Sequence, residues 1–189
     1  MINRITKIMK SHGYLPTKED EIIFHYGLEL LLNAVVSVSV LLCIGTLLGY
    51  LKETIIFYLT YLFLKKNTGG YHANSHLGCI LQFNLCCLCF FLLYKHHLLP
   101  LYRPGIIFLL LVSVFVFAPI EDHNKKVAPK QFTVHKKAAR VKTIVLVVLS
   151  TCLELFQASY RSLLDFFYLG ILMISITVLL GAFKNYQGW

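Results

Sequence analysis

The stretch LELLLNAVVSVSVLLCIGTLL, Leu28 to Leu48, decides the fold. A helix needs ~20 mainly apolar residues to cross the hydrocarbon core of a bilayer, and this run meets that length by itself. It begins too far into the chain, and runs too long, to be a cleaved secretory signal, and no small-residue cleavage site follows it. It therefore stays in the membrane. Five more apolar runs follow: Thr54 to Leu64, Leu77 to Tyr94, Gly105 to Ile120, Thr143 to Phe156 and Leu163 to Phe183. The 189 residues are 57% hydrophobic with a mean hydropathy of +0.68, far from the profile of a soluble enzyme. The expected fold is all-α: one polytopic membrane domain over residues 1–189, with about six transmembrane or partly re-entrant helices. Thr54 to Leu64 is the weakest of them, since its apolar core is roughly 16 Å of helix. It must take in flanking residues, tilt, thin the bilayer or turn back within it.

The net charge of +9 would suggest nucleic acid in a soluble chain, but here its distribution matters more. With six crossings and the N-terminus in the cytoplasm, fourteen Lys and Arg fall inside and only Lys52, Lys95, Arg103 and Arg161 fall outside. The positive-inside rule selects that orientation, with the Lys65 to Cys79 stretch at the cytoplasmic face, and no nucleic-acid partner is expected. Residues 1–27 form a cytoplasmic amphipathic region: Ile2, Ile5, Ile8 and Met9 recur at helical spacing between Arg4, Lys7 and Lys10, the pattern of a helix lying on an anionic leaflet. Pro16 and Thr17 interrupt it, and Glu19, Asp20 and Glu21 suit the first turn of the helix that enters the membrane. Residues 121–142 read as a basic cytoplasmic loop that fixes orientation. Asp165 falls at the outer end and is a poor candidate for chemistry.

Chemistry concentrates in KKNTGGYHANSHLGC, Lys65 to Cys79, a polar gap whose segment 65–76 reads as a catalytic loop. Gly69 and Gly70 permit a sharp turn that returns His72 towards the next helix. Asn74 or Ser75 caps that helix, and Cys79 falls in its first turn, where the dipole favours a thiolate. A thiolate with an imidazole as its acid and base is one reading. The series His72, His76, Cys79 also has the residue types of a zinc site, but nothing nearby completes it, so no metal and no cofactor are expected. Lys65 marks the membrane boundary or stabilises a developing oxyanion. Glu29, four residues before Asn33 and so on the same helical face, either meets water or another helix, or orients His72. Asp122 is a second candidate for that orienting role. Cys43, Cys86, Cys87, Cys89 and Cys152 all lie in apolar runs and read as packing residues.

KKNTGGYHANSHLGC resembles the signature of the AgrB family, the accessory gene regulator B membrane peptidases of bacterial quorum sensing, in its basic residue, its Gly-Gly-x-His element and the cysteine seven after the histidine. YGLELLLN at Tyr26 to Asn33 and FAPIEDHNKK at Phe117 to Lys126 are similar to the family as well. One departure is Lys65, where the family often has arginine, which weakens any fork-like recognition of a carboxylate. The resemblance implies a cysteine endopeptidase at the cytoplasmic face, with Cys79 as nucleophile and His72 as acid and base. It implies cleavage of an AgrD-like precursor peptide through an acyl-thioester, cyclisation to a thiolactone or lactone, and action as a homodimer. A peptide exporter with a structural or metal-binding His and Cys is the reading from another class.

Overall fold

The computed structural model describes residues 2–71, 73, 75–97, 102–120, 129–154 and 160–186, except the side chains of His76, Pro129 and Lys130. The described residues are all-helical: α1 (Ile2–Ser11), α2 (Lys18–Leu48), α3 (Leu51–Thr68), α4 (His76–Lys95), α5 (Arg103–Val112), α6 (Pro129–Glu154) and α7 (Arg161–Tyr186). A π-helical turn at Ser113–Phe117 extends α5. Three helices, Lys18–Leu48, Leu77–Lys95 and Arg161–Tyr186, are long and apolar enough to cross a membrane, and Arg103–Phe117 is a shorter apolar helix. Apolar helices of this length, in an all-helical fold, mark an α-helical membrane protein.

Local chemistry sets the helix ends. Thr17 and Asp20 close a reciprocal capping box at the start of α2, with Glu19, Asp20 and Glu21 in the first turn, where negative charge meets the helix dipole favourably. Gly49, in the left-handed region at φ 82°, ends that helix. Ser75, one of the two expected caps, accepts from the Gly78 amide and starts α4. Pro104 sits in the first turn of α5, where its missing N–H costs nothing.

Among the alternatives open to the weak second run, the structure takes in flanking residues: α3 is one continuous helix of 18 residues. Its polar residues Thr54, Thr60, Asn67 and Thr68 are buried against neighbouring helices, so the helix extends well past its apolar core. Residues 129–142, expected as part of a basic loop, are instead the first half of α6. Gln, Lys, Arg and Ala are good helix formers, and their charged ends reach water from a helix as easily as from a loop. The loop between α3 and α4 is correspondingly shorter than 65–76, because Lys65 to Thr68 belong to α3 and His76 to α4.

From α2 to α7 the helices alternate in direction. Thr54 of α3 meets Gly45 of α2 so closely that a methyl group on Gly45 would strike its side chain. Phe57 pairs with Phe91, and Tyr61 with Phe83, so α3 and α4 run antiparallel. Asn67 bonds His135 and Lys142 bonds the Phe63 carbonyl, which makes α6 antiparallel to α3. Ser162 at the start of α7 bonds Glu53 at the start of α3, so these two run parallel.

The last helix is the core. Phe166, Leu169, Ile171, Ile174 and Val178 of α7 are fully enclosed. The backbone of α3 reaches α7 because Gly170 has no side chain: a methyl there would lie 2.7 Å from the Phe57 carbonyl oxygen. Small residues let helices approach this closely in membranes, where apolar surface alone supplies little association. At the end of the bundle far from the α3–α4 loop, Arg103 donates to Asp165 at 2.9 Å and to both oxygens of Glu154 at 3.1–3.2 Å. Tyr94 donates to Asp165 and Tyr168 to Glu154. One guanidinium thus joins α5, α6 and α7, with α4 attached through Tyr94. Asp165 is 8% exposed, and so belongs to this buried network rather than to open solvent.

Breaking a buried pair by removing one partner strands the other charge, at a cost of about 3–5 kcal/mol. Because Glu154 keeps Arg103 paired, Asp165→Ala is expected to destabilise the protein by less than that, though measurably, in detergent unfolding. Asp165→Asn, which keeps one acceptor for Tyr94 or Arg103, should lose less. Equal unfolding midpoints for wild type and Asp165→Ala would refute the role of the network.

Candidate functional site

The polar gap between α3 and α4 is held by α7 and by the segment after the π-helical turn. Gly69 (φ 67°) and Gly70 (φ 129°) both occupy backbone conformations that L side chains rarely adopt. A side chain on Gly69 would strike the Ile120 carbonyl, whose own residue donates its N–H to Thr68 O at 2.8 Å. Tyr71 N–H donates to the carbonyl of Thr177 in α7 at 2.7 Å. That carbonyl is reachable because the residue one turn later is Gly181, since helical side chains lean towards the N-terminus and cover the preceding turn. A methyl on Gly181 would lie 2.8 Å from the Tyr71 nitrogen and 2.9 Å from the Gly70 carbonyl carbon. Lys184 lies over the Tyr71 ring, 5.2 Å from its centre.

Cys79 is the fourth residue of α4. Its amide already bonds the Ser75 carbonyl at 3.0 Å and the Gly78 amide bonds the Ser75 hydroxyl at 3.1 Å, so the cap takes two of the amides at this helix start. The thiol is half-buried and free. Lys65 comes from α3: its Nζ would lie 3.0 Å from a methyl on Gly70, and it sits 5.9 Å from the centre of the Tyr61 ring. Tyr61 packs on Phe83 of α4, ring centres 5.2 Å apart, and Phe83 stands one turn after Cys79 on the same helical face. Lys65, Tyr61 and Gly70 thus meet on one side of the turn, and Cys79 stands one turn before the Phe83 ring that packs on Tyr61, at the end of the bundle opposite the Arg103 network. A thiol, a cation and positive-φ glycine backbone at one end of the bundle are groups that can serve an acyl transfer.

His72 and Asn74 lie outside the described residues, as do Asp122 and Glu121. Glu29 stands on the wall of a cleft of about 800 Å³ between α1 and the start of α2, with Lys7, Lys10 and Glu21. Its Oε1 is 3.5 Å from Nδ1 of His25, which also contacts Asn3 of α1. The amphipathic α1 thus docks through polar contacts on α2, including a Lys10–Glu21 ion pair, and leaves Ile8 half exposed.

Four residues that build this site were not singled out as candidates from sequence. Tyr61 carried a signal, since it stands one helical turn before Lys65. Gly181, Thr177 and Ile120 carried none, because each is far away in the chain and acts through backbone or through an absent side chain.

The accessory gene regulator B family matches residues 2–179. Proteins with the provisional name AgrB-like are related to this chain. One from Listeria monocytogenes serovar 1/2a is 27% identical over 147 residues, covering 76% of this chain and 66% of the relative. One from Listeria innocua serovar 6a is 29% identical, covering 71% and 63%. One from Clostridium perfringens strain SM101 is 28% identical over 136 residues, covering 67% and 64%. In these matches the chain spans slightly less than two thirds of the relatives' length. No solved structure matches it. From a family match running over nearly the whole chain, the protein belongs to the accessory gene regulator B family, AgrB, whose general role is in the processing of quorum-sensing peptides.

Proposed function

We propose that this chain is a membrane cysteine endopeptidase that also closes a peptide ring, acting on an AgrD-like precursor at the cytoplasmic face. The observation that supports the proposal most is Lys65 beside Gly70 and Tyr61, with Cys79 one turn before the Phe83 ring that packs on Tyr61, in a member of this family. Cys79 Sγ attacks the scissile carbonyl, and His72 takes the thiol proton and returns it to the leaving amine. The C-terminal part of the precursor departs, and its N-terminal part remains as a thioester on Cys79. A cysteine thiol or serine hydroxyl within the bound peptide then attacks that thioester. The new thiolactone or lactone forms as the Cys79–acyl bond breaks, and the proton lost by the attacking group returns to the Cys79 sulfur through His72.

Thioester exchange keeps much of the activation of the acyl group, so ring closure requires no ATP. Water competes for the same intermediate, and a site walled by α3, α4 and α7 at the membrane boundary limits it. Lys65 supports the developing oxyanion as a point charge, without the fork of an arginine. Glu29 or Asp122 orients the His72 ring. The bilayer holds the amphipathic leader of the precursor beside the site, and two chains act as a homodimer.

Incubation of the purified protein with a precursor peptide, followed by intact-mass measurement, is expected to reveal an acyl adduct on Cys79. Cys79→Ala should lose both adduct and cleavage, and His72→Ala should slow adduct formation by at least about 100-fold. Continued cleavage by Cys79→Ala would end the proposal.

Gly181 touches no reacting atom in this scheme and is a positioning residue. Gly181→Ala is expected to displace Tyr71 from the Thr177 carbonyl, lowering the rate of adduct formation while thermal unfolding in detergent changes little. Amide exchange at Tyr71 should accelerate in the same variant. Wild-type exchange at that amide would show that Gly181 does not hold the loop.

A further inference from the structure

Between α3, α6 and the first turns of α7 runs an apolar groove of about 580 Å³. Its walls include Leu59 and Phe63 of α3 and Val145 and Leu149 of α6, which are 56%, 39%, 49% and 42% exposed, so it opens on the flank of the bundle. Leu146 and Leu164 are buried in its lining. Among the described residues no carboxylate lines it.

The end nearest the α3–α4 loop is cationic. Lys142 of α6, one turn before Val145 and Leu146, donates to the Phe63 carbonyl at 2.9 Å and lies 4.9 Å from the centre of the Phe63 ring. That bond uses one of the three hydrogens of its ammonium. Lys66 is exposed and stands one turn beyond Phe63 on α3, on the same face. An apolar channel closed at one end by two lysines is complementary to an amphiphile with an anionic head. The lengths agree. The apolar part of α6 runs from Thr143 to Leu153, roughly 16 Å of helix, and that of α3 from Thr54 to Leu64 is the same. Both fall well short of the ~30 Å hydrocarbon core that α2 and α7 are long enough to cross. A flank this short thins the bilayer beside it, and a lipid drawn inward onto the two lysines accommodates the mismatch.

We propose that this groove binds one anionic phospholipid of the phosphatidylglycerol class, with its phosphate on Lys66 and Lys142 and an acyl chain along Leu59, Phe63, Val145 and Leu149. The proposal does not depend on the peptidase reading, since its readout is lipid retention rather than peptide cleavage. Each lysine adds about a fivefold preference for an anionic head, so the pair should favour phosphatidylglycerol over phosphatidylcholine of the same chains by about 25-fold.

The test is native mass spectrometry of the full chain in neutral detergent, titrated with dioleoyl phosphatidylglycerol or dioleoyl phosphatidylcholine. One phosphatidylglycerol per chain should be retained. Lys66→Gln, which leaves the Lys142–Phe63 bond in place, should cut the preference about fivefold, and Lys66→Arg should restore it. Leu149→Trp, which fills the groove, should reduce retention of both lipids. Equal retention of the two lipids by wild type, or a preference unchanged in Lys66→Gln, would overturn the proposal. So would a lipid-free dimer that Leu149→Trp abolishes, since a second copy would then occupy the groove.

Discussion

The hydrogen bond from the Tyr71 amide to the Thr177 carbonyl holds the polar gap in place. It ties a turn that two glycines make possible to a helix more than a hundred residues later, and it exists because Gly181 leaves the carbonyl uncovered. A loop at a membrane boundary would ordinarily drift with the solvent. Here its backbone is pinned on one side by α7 and on the other by Ile120, whose amide bonds the end of α3. Lys65 and Cys79, which flank the turn on α3 and α4, inherit their placement from that anchor.

The opposite end of the bundle is held by charge. Arg103, Glu154 and Asp165 close a network across three helices, with two tyrosines supplying further hydrogen bonds. Ion pairs of this kind contribute less net stability than their number suggests, yet they allow few alternative registers, because a shifted helix would strand a buried charge. Between the two ends the rings of Phe57, Phe91 and Phe166, packed edge-to-face and tilted, fill the space among α3, α4 and α7. The Gly170 contact with α3 then sets how closely the helices approach. The bundle is thus fixed by a backbone contact at one end, an ionic contact at the other, and aromatic packing between.

The class of fold was legible in the apolar runs, because the length needed to cross a bilayer is a one-dimensional quantity. Helix starts at Thr17 and Ser75 were legible for a similar reason, since capping acts within three residues. The reading weakened where polar residues obtain partners from other helices. Thr54, Asn67 and Thr68 lowered the apparent length of α3, although α3 is continuous. The basic stretch before Thr143 hid the first half of α6, and nothing near Asp165 in the chain announced that Arg103 holds it in the bundle.

By itself the sequence determined that the chain is helical and membrane-bound, and that its unusual side chains cluster between Lys65 and Cys79, since those properties follow from hydropathy and from neighbours in the chain. Only the tertiary structure decided that Tyr61 packs on the α4 face that carries Cys79 and Phe83, that Gly181 and Ile120 frame the turn, and that α7 is the core. The physical reason is distance along the chain. An uncovered carbonyl, or the space left by a missing side chain, has no signature in composition or periodicity until the helix bearing it is packed against its partner.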